Sequence, residues 1–146
     1  MWRVDGWPAD QVPVDDRGLA YGDGLFETLP VVGGRPALWR AHRERLRSGC
    51  RRLGFAPPEP DALDREVDFL VAEGAGMVKF LVTRGSAAGR GYSPPPEVRP
   101  RVIAGGFPVP QRPAEWWRDG DPRGNSLHHP AIAPAGAGRP QASEPP

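Results

Sequence analysis

The chain of 146 residues has very little lysine or cysteine and contains no long apolar run. Lys79 is the single lysine among 19 basic residues, and Cys50 is the single cysteine. One cysteine excludes an internal disulfide and is typical of a reducing compartment. No apolar stretch approaches the roughly 20 residues that a membrane span needs, and the first residues lack the pattern of a secretory signal. We therefore expect a cytoplasmic chain without a membrane partner.

The chain also lacks a large excess of either charge. Its formal net charge is only +1, and acids alternate with arginines along the chain. Blocks of like charge are typical of proteins that bind a polyanion, and none of that kind is present. We therefore expect no nucleic acid as a partner. The hydrophobic content of 38% is ordinary for a globular domain, and the length predicts a single one.

Short strands are predicted in the amino-terminal part, followed by helices and then strands again. The strands cover residues 2–4, 12–14 and 25–32, with a return strand over 36–39 after Gly33 and Gly34, so this part is expected to be a β-meander. Apolar residues at helical spacing predict helices over 41–53, ended by Gly54, and from Pro60 to about Glu73. Residues 77–83 and 101–107 predict strands, the first buried on both faces. The order indicates a small α+β domain.

The composition changes after Gly120. Residues 121–146 contain six prolines, no aromatic residue and neither the helical nor the strand period. Such a segment buries too little apolar area to offset the entropy lost on ordering. We therefore expect a domain over residues 1–120 and a disordered tail over residues 121–146.

Three motifs carry candidate chemistry. Tyr-Gly-Asp-Gly-Leu-Phe-Glu-Thr at 21–28 is either a tight turn before a strand or a loop that lets a ligand approach the backbone. His42 and Arg45 share a helix, either on a solvated basic face or with Arg45 as a phosphate clamp. Residues 83–93 predict a flexible loop that presents Arg84 and Arg90, which suits a substrate rich in carboxylates. No metal site is predicted.

These motifs resemble the amino-terminal half of the aminodeoxychorismate lyases, a family of class IV pyridoxal-phosphate enzymes. The likeness covers residues 1–120 and rests on Asp-Arg-Gly-Leu-Ala-Tyr-Gly-Asp-Gly-Leu-Phe-Glu-Thr at 16–28, His-Arg-Glu-Arg-Leu at 42–46 and Gly-Arg-Gly-Tyr at 89–92. The first two motifs also recur in branched-chain and D-amino-acid aminotransferases of class IV. Arg-Gly-Ser followed by Gly-Arg-Gly-Tyr favours the lyase, although the loop here has one extra residue.

The resemblance implies a branched-chain aminotransferase-like fold of two α/β domains, with pyridoxal 5'-phosphate in the cleft between them and a homodimer that completes the site. It implies that Arg45 binds the cofactor phosphate, that Tyr21, Phe26 and Thr28 line the substrate side, and that Arg90 contacts a carboxylate. The implied reaction converts aminodeoxychorismate to 4-aminobenzoate and pyruvate in folate biosynthesis.

The catalytic lysine that the resemblance implies has no counterpart in this chain. In that family the lysine lies in a later segment resembling Leu-Ala-Gly-Leu-Lys-His-Leu-Asn-Arg-Leu, and it serves as Schiff-base partner and general base. Lys79 falls instead in a predicted early strand. We expect Lys79 to be a strand-face residue and not the catalytic lysine.

With a suitable choice of codons, the tail encodes the missing segment in another reading frame. Residues 138–146 can be reverse-translated, every codon being permitted for its residue, to GGC CGG CCT CAA GCA TCT GAA CCG CCT, which reads Gly-Leu-Lys-His-Leu-Asn-Arg from the second base of the Arg139 codon. The same offset from Asp121 yields Ile-Arg-Val-Ala, a β-rich segment. These readings predict a frameshift just after Gly120 and a truncated, inactive lyase. The alternatives are a fragment of a class IV branched-chain or D-amino-acid aminotransferase, and a non-enzymatic arginine- and tryptophan-rich module for single-stranded nucleic acid.

Overall fold

The computed structural model describes residues 1–87, 91–94 and 98–109. Three helices lie within these ranges: α1 (Arg17–Tyr21), α2 (Trp39–Leu53) and α3 (Pro60–Ala72). The strands of the same ranges are β1 (Trp2–Val4), β2 (Trp7–Pro8), β3 (Gly24–Val32), β4 (Arg35–Pro36), β5 (Met77–Thr83) and β6 (Arg101–Phe107). The α+β class is confirmed. Arg90 and the expected disordered tail over 121–146 lie outside the described residues.

The strands form one antiparallel sheet in the order β2-β1-β6-β5-β3-β4. The central strand β5 pairs with β3 on one side and β6 on the other. The predicted β-meander is therefore wrong, because β6 and β5 lie between the first strands and β3. Those two strands contribute the longest apolar runs, and the middle of the sheet is where such runs lose most contact with water.

Helices α2 and α3 cover one face of the sheet. The hydrophobic core lies between these helices and the sheet. Phe80 and Val82 of β5 are fully buried on this face, where the Trp39 ring stacks on Phe80 with centroids 5.4 Å apart. The other core members include Leu29, Leu46, Cys50, Leu63, Val67, Leu70, Val78 and Ala104. Burying each large side chain contributes about 1.5–3 kcal/mol. The buried position of Cys50 agrees with its place on the apolar side of the predicted helix.

The opposite face of the sheet, called the open face below, is not covered by either helix. Phe26 is 68% exposed there, and β5 alternates between buried and half-buried residues. The prediction that β5 is buried on both faces is therefore wrong. A continuous apolar run does not show whether one or both faces of a strand are covered. In β5 the half-buried positions are also occupied by large side chains such as Leu81, so the run is continuous although one face is open.

The short elements differ most from the sequence-based expectations. Residues 12–14 form no strand, because Pro13 lacks a backbone donor and Val14 is 86% exposed. The return strand is only Arg35–Pro36, and α2 begins at Trp39. The long elements agree: α2 ends at Gly54 and α3 begins at Pro60. Within the described ranges, no helix has the length and apolar character needed to cross a membrane.

Candidate cofactor and substrate site

Asp16 anchors the glycine-rich motif to the sheet. Its side chain is buried and caps α1 by accepting a hydrogen bond from the backbone N–H of Gly18 at 2.9 Å. It also accepts from the Thr83 hydroxyl at 3.0 Å and from Arg101 Nη1 at 2.7 Å. Because Thr83 and Arg101 lie on β5 and β6, the short helix is fixed against both strands.

Two glycines of the motif allow β5 to pack closely against it. A Cβ at Gly18 would lie 2.2 Å from Thr83 Cγ2, and a Cβ at Gly24 would lie 2.9 Å from the Val82 carbonyl oxygen. Both distances are shorter than any real Cβ contact, so a side chain is excluded at these positions. Within the motif at 21–28, Gly24 therefore packs against β5, and Gly22 has a left-handed φ of 67° that fits the tight turn, with nothing within 4 Å of an added Cβ.

Asp23 joins two buried arginines. Its carboxylate accepts from Arg17 Nε at 3.0 Å and from Arg84 Nε at 2.6 Å. Burial opposes ionisation, but the hydrogen bonds from Arg84 and Arg17 outweigh it and hold the pKa of Asp23 below its ordinary value. Arg84 also donates to the Leu53 carbonyl at the end of α2. The prediction that the loop presents Arg84 to a substrate is thus wrong, because its ion pair and hydrogen bonds occupy it.

Tyr21 contacts the end of the loop that follows β5. Its ring meets Tyr92 edge-on with centroids 5.7 Å apart, and the Arg17 guanidinium lies 4.5 Å from the Tyr21 ring centroid. Arg17 also donates to the carbonyls of Gly91 at 3.3 Å and Tyr92 at 2.7 Å. These contacts bring the predicted substrate residue Tyr21 beside the segment that follows Arg90.

Glu27 contacts two side chains of α2, those of His42 and Arg45. Arg45 Nε donates to Glu27 Oε1 at 2.5 Å, a second Arg45 nitrogen contacts Oε2, and His42 Nδ1 lies 2.8 Å from Oε2. Burial alone would raise the pKa of the Glu27 carboxyl, but hydrogen bonds from Arg45 and His42 hold it below the ordinary value. The bond with Glu27 in turn raises the pKa of Arg45. Glu27 is therefore ionised at neutral pH and orients the guanidinium.

Glu27 was not among the predicted site residues. The sequence did contain one signal for Glu27. Inward and outward positions alternate along β3, and a glutamate at an inward position between Leu25 and Leu29 requires a buried partner.

Arg45 borders a cavity of about 250 Å³ whose lining suits an anion. Phe26, Glu27, Ser48 and Arg52 are among its other lining residues. The Arg45 side chain is 64% exposed, and within the described part of the chain no acceptor contacts its Nη1. With two arginines against one glutamate and a serine hydroxyl nearby, the cavity fits a phosphate group.

A second cavity of about 320 Å³ lies on the open face and is mostly apolar. Phe26 lines both cavities, and the second is completed by residues that include Leu19, Leu81 and Ile103. Thr28 is exposed on the same face of β3. The structure therefore places Phe26 and Thr28 on one face of β3, with Phe26 also lining the Arg45 cavity, while Tyr21 lies on α1.

Comparisons with known proteins identify the family of the chain. The family model of amino-transferase class IV matches residues 24–130. An aminodeoxychorismate lyase of Vibrio harveyi is 33% identical over 123 residues, which cover 82% of this chain and 44% of that protein.

Solved structures show the same relationship. The crystal structure of 4-amino-4-deoxychorismate lyase from Pseudomonas aeruginosa is 48% identical, with a TM-score of 0.70, and the match covers 81% of this chain and 43% of that one. A hypothetical aminotransferase from Mycobacterium tuberculosis, in its PLP-bound form, is 26% identical with a TM-score of 0.59, over 70% of this chain and 35% of that one.

The fold and the family match thus define a pyridoxal-phosphate-dependent class of enzyme. The chain belongs to the amino-transferase class IV family, and pyridoxal phosphate is the cofactor that this membership implies. The chain spans less than half the length of the relatives reported above.

Proposed function

We propose that residues 1–120 are the amino-terminal domain of a 4-amino-4-deoxychorismate lyase, which converts aminodeoxychorismate to 4-aminobenzoate and pyruvate. The observation that carries the proposal is Arg45, oriented by the buried Glu27 at a cavity that shares Phe26 with an apolar one. The 48% identity with the Pseudomonas aeruginosa lyase supports the lyase over other class IV activities.

In this proposal each residue binds or orients. Arg45 holds the cofactor phosphate by its Nη1, and Glu27 fixes the guanidinium plane through Nε and Nη2. Phe26, Thr28 and Tyr21 line the substrate side, and Arg90 contacts a carboxylate. The cofactor, when bound, supplies the electron sink for the bond changes of the substrate. A homodimer and a cytoplasmic location, the latter suggested by the single cysteine, complete the proposal.

We further propose that the chain of 146 residues is itself inactive, because it carries no lysine in the position that the chemistry requires. Lys79 lies on the open face of β5 and does not line the Arg45 cavity. The shifted reading of residues 138–146 supports a frameshift after Gly120 as the reason. The family match ends at residue 130, ten residues past Gly120 and before the segment that would encode the lysine.

Assays of two proteins in parallel test the proposal. The chain of 146 residues and the protein made after restoring the frame behind Gly120 are each supplied with pyridoxal phosphate and aminodeoxychorismate. Only the frame-restored protein should release 4-aminobenzoate and pyruvate and yield a single cofactor-labelled lysine after borohydride reduction. Release of pyruvate by the shorter chain, with cofactor fixed at Lys79, would show that its catalytic lysine is not missing.

A class IV aminotransferase is the second candidate, supported by the structural match to the aminotransferase from Mycobacterium tuberculosis. Transfer of an amino group from D-alanine or a branched-chain amino acid, without 4-aminobenzoate formation, would identify it. A nucleic-acid module is less well supported by the geometry, because many arginines are already paired with carboxylates. These are Arg3, Arg17, Arg43, Arg84 and Arg101.

A further inference from the structure

A further cavity, of about 400 Å³, lies where three segments that are distant in sequence meet. These segments are the turn after β1, the connection from α2 into α3, and the residues that lead into β6. The lining shares no residue with the Arg45 cavity or with the apolar cavity on the open face. Small-molecule sites commonly have volumes of this size. This cavity, called the α3 cavity below, is therefore a candidate site that the proposed function leaves unused.

Glu66 brings a buried carboxylate to the α3 cavity. The residue is only 5% exposed, and its Oε2 accepts a hydrogen bond from Arg3 Nε at 2.6 Å. Among the described residues, no donor contacts its Oε1. A Cβ added at Gly6, which also lines the cavity, would lie 3.6 Å from this oxygen. Buried carboxylate oxygens normally accept a hydrogen bond, so Oε1 is an acceptor that a ligand can use.

The other acids of the lining are less suited to this task. Asp5 Oδ1 accepts from the backbone N–H of Val102 at 2.8 Å, and Asp5 Oδ2 faces Arg101 Nε at 3.4 Å. Both Asp5 oxygens are thus used by the fold. Glu59 precedes α3 at an exposed position. The buried acceptor of the α3 cavity is therefore Glu66.

Arg65 and Arg99 add positive charge to the same lining. Both residues are exposed, in contrast to Glu66. The ion pairs found in the part of the chain that the structure describes include neither of them. A guanidinium binds a carboxylate through two parallel hydrogen bonds. The apolar part of the lining consists of Ala56, Pro57, Pro58, Ala62, Pro100 and Val102.

We propose that the α3 cavity binds a free α-amino acid with an apolar side chain. The ammonium group donates to Glu66 Oε1, the carboxylate accepts from Arg65 with Arg99 as the second cation, and the side chain packs on Pro57 and Pro58. A simple anion would be repelled by the Glu66 carboxylate, and a simple amine would leave both arginines without a partner. Only a ligand with both charges satisfies the lining. The inference goes beyond the proposed function and does not depend on it.

Thermal unfolding of the 146-residue chain with three related probes tests the charge requirement. L-Leucine at millimolar concentration should raise Tm, because a ligand that binds only the folded state stabilises it. 3-Methylbutylamine, which lacks the carboxylate, should raise Tm less, and 4-methylpentanoate, which lacks the ammonium, should leave it unchanged. No rise with L-leucine, or an equal rise with 4-methylpentanoate, would overturn the proposal.

Equilibrium dialysis with labelled L-leucine locates the site. Glu66→Gln keeps the shape of the side chain but removes its charge, so affinity should fall about tenfold or more. Because this change also weakens the pair with Arg3, two further variants spare that pair. Ala62→Leu should abolish binding by filling the cavity, and Arg65→Met should weaken it several-fold, while Arg40→Met on α2 should bind as the parent does. Circular dichroism verifies that each variant is folded. Unchanged affinity in folded Ala62→Leu and Arg65→Met would refute the site and leave the proposed function intact.

Discussion

At the residue scale, two acids of one motif have different partners because Asp23 lies before β3 and Glu27 lies within it. Asp23 precedes the strand and holds Arg17 and Arg84, which fix the loop after β5 and the end of α2. Glu27 lies within the strand and faces α2, where it holds Arg45. The first acid therefore supports the architecture, and the second orients the arginine that we propose binds the cofactor phosphate.

Replacing Asp23 by asparagine should destabilise the domain by about 2 kcal/mol at neutral pH, because two buried arginines lose their counter-charge. The pKa of Asp23 is lowered on folding from its ordinary value of 3.8. Its contribution is thus fully present above that value and is lost as the pH falls through the lower folded value. Urea unfolding between neutral pH and pH 3 should show a shallower acid decline for Asp23→Asn than for the unchanged chain. Parallel declines would contradict the role of Asp23.

Replacing Arg45 by alanine in the frame-restored protein should weaken retention of pyridoxal phosphate by about tenfold or more, the value of a charge-assisted contact. Equilibrium dialysis measures the affinity directly. Arg40→Ala on the same helix is the matched control and should bind as the parent does. Equal affinity in Arg45→Ala would place the phosphate elsewhere.

The sequence indicated Arg45 but not its partner. The proposed phosphate-binding role of Arg45 rests on a local motif, His-x-x-Arg-Leu at 42–46 on a helix. The pairing of Glu27 with Arg45 joins residues 18 positions apart and depends on how α2 crosses β3, which no local pattern contains. Arg84 was misjudged for the same reason, since its acceptors at Asp23 and Leu53 come from distant segments.

At the element scale, the helix α2 is held at its end by backbone geometry and by a side chain. Gly54 has φ of 77° and its N–H donates to the carbonyls of Arg51 and Cys50. Arg84 then donates to the carbonyls of Leu53 and Gly54. The carboxyl end of the helix, which carries partial negative charge, is thereby neutralised by a buried cation.

Gly54→Ala should lower the stability of the domain by about 1 kcal/mol, because a residue with a Cβ is strained in the left-handed conformation. The added Cβ meets nothing within 4 Å, so the loss reports backbone strain and not a clash. Thermal unfolding followed by circular dichroism measures the effect, and Arg40→Ala provides a surface control on the same helix. A melting temperature equal to that of the unchanged chain would argue against the cap.

The long elements were predictable because their apolar periods extend over several turns or strand repeats. Helices α2 and α3 and strands β3, β5 and β6 were all anticipated with ends within a few residues. The order of the strands in the sheet was not predictable, because the pairing of β1 with β6 joins the two ends of the domain. The five-residue helix α1 was missed, since its stability comes from the Asp16 cap and its tertiary contacts.

At the scale of the whole molecule, the open face of the sheet leaves large apolar side chains exposed. Phe26 and Val32 are each 68% exposed on β3, whereas Glu27 and Leu29 on its helix-covered face are buried. Exposed apolar residues that adjoin a cavity mark a surface that contacts something else. The relatives reported above are more than twice as long as the matched region, so further chain is available in them to cover such a face.

The gene gives the decisive prediction for the whole molecule. If the frame shifts after Gly120, the DNA read from the second base of the Asp121 codon should encode Ile-Arg-Val-Ala and later Gly-Leu-Lys-His-Leu-Asn-Arg. It should then continue without a stop for on the order of a hundred residues, the length of a further domain. The reason is that only such a continuation supplies the lysine that class IV chemistry needs and that Lys79 cannot provide from the open face. Sequencing the locus checks this. Codons for Gln141 and Ala142 that place neither AAG nor AAA in the shifted frame, or an early stop there, would rule out the frameshift.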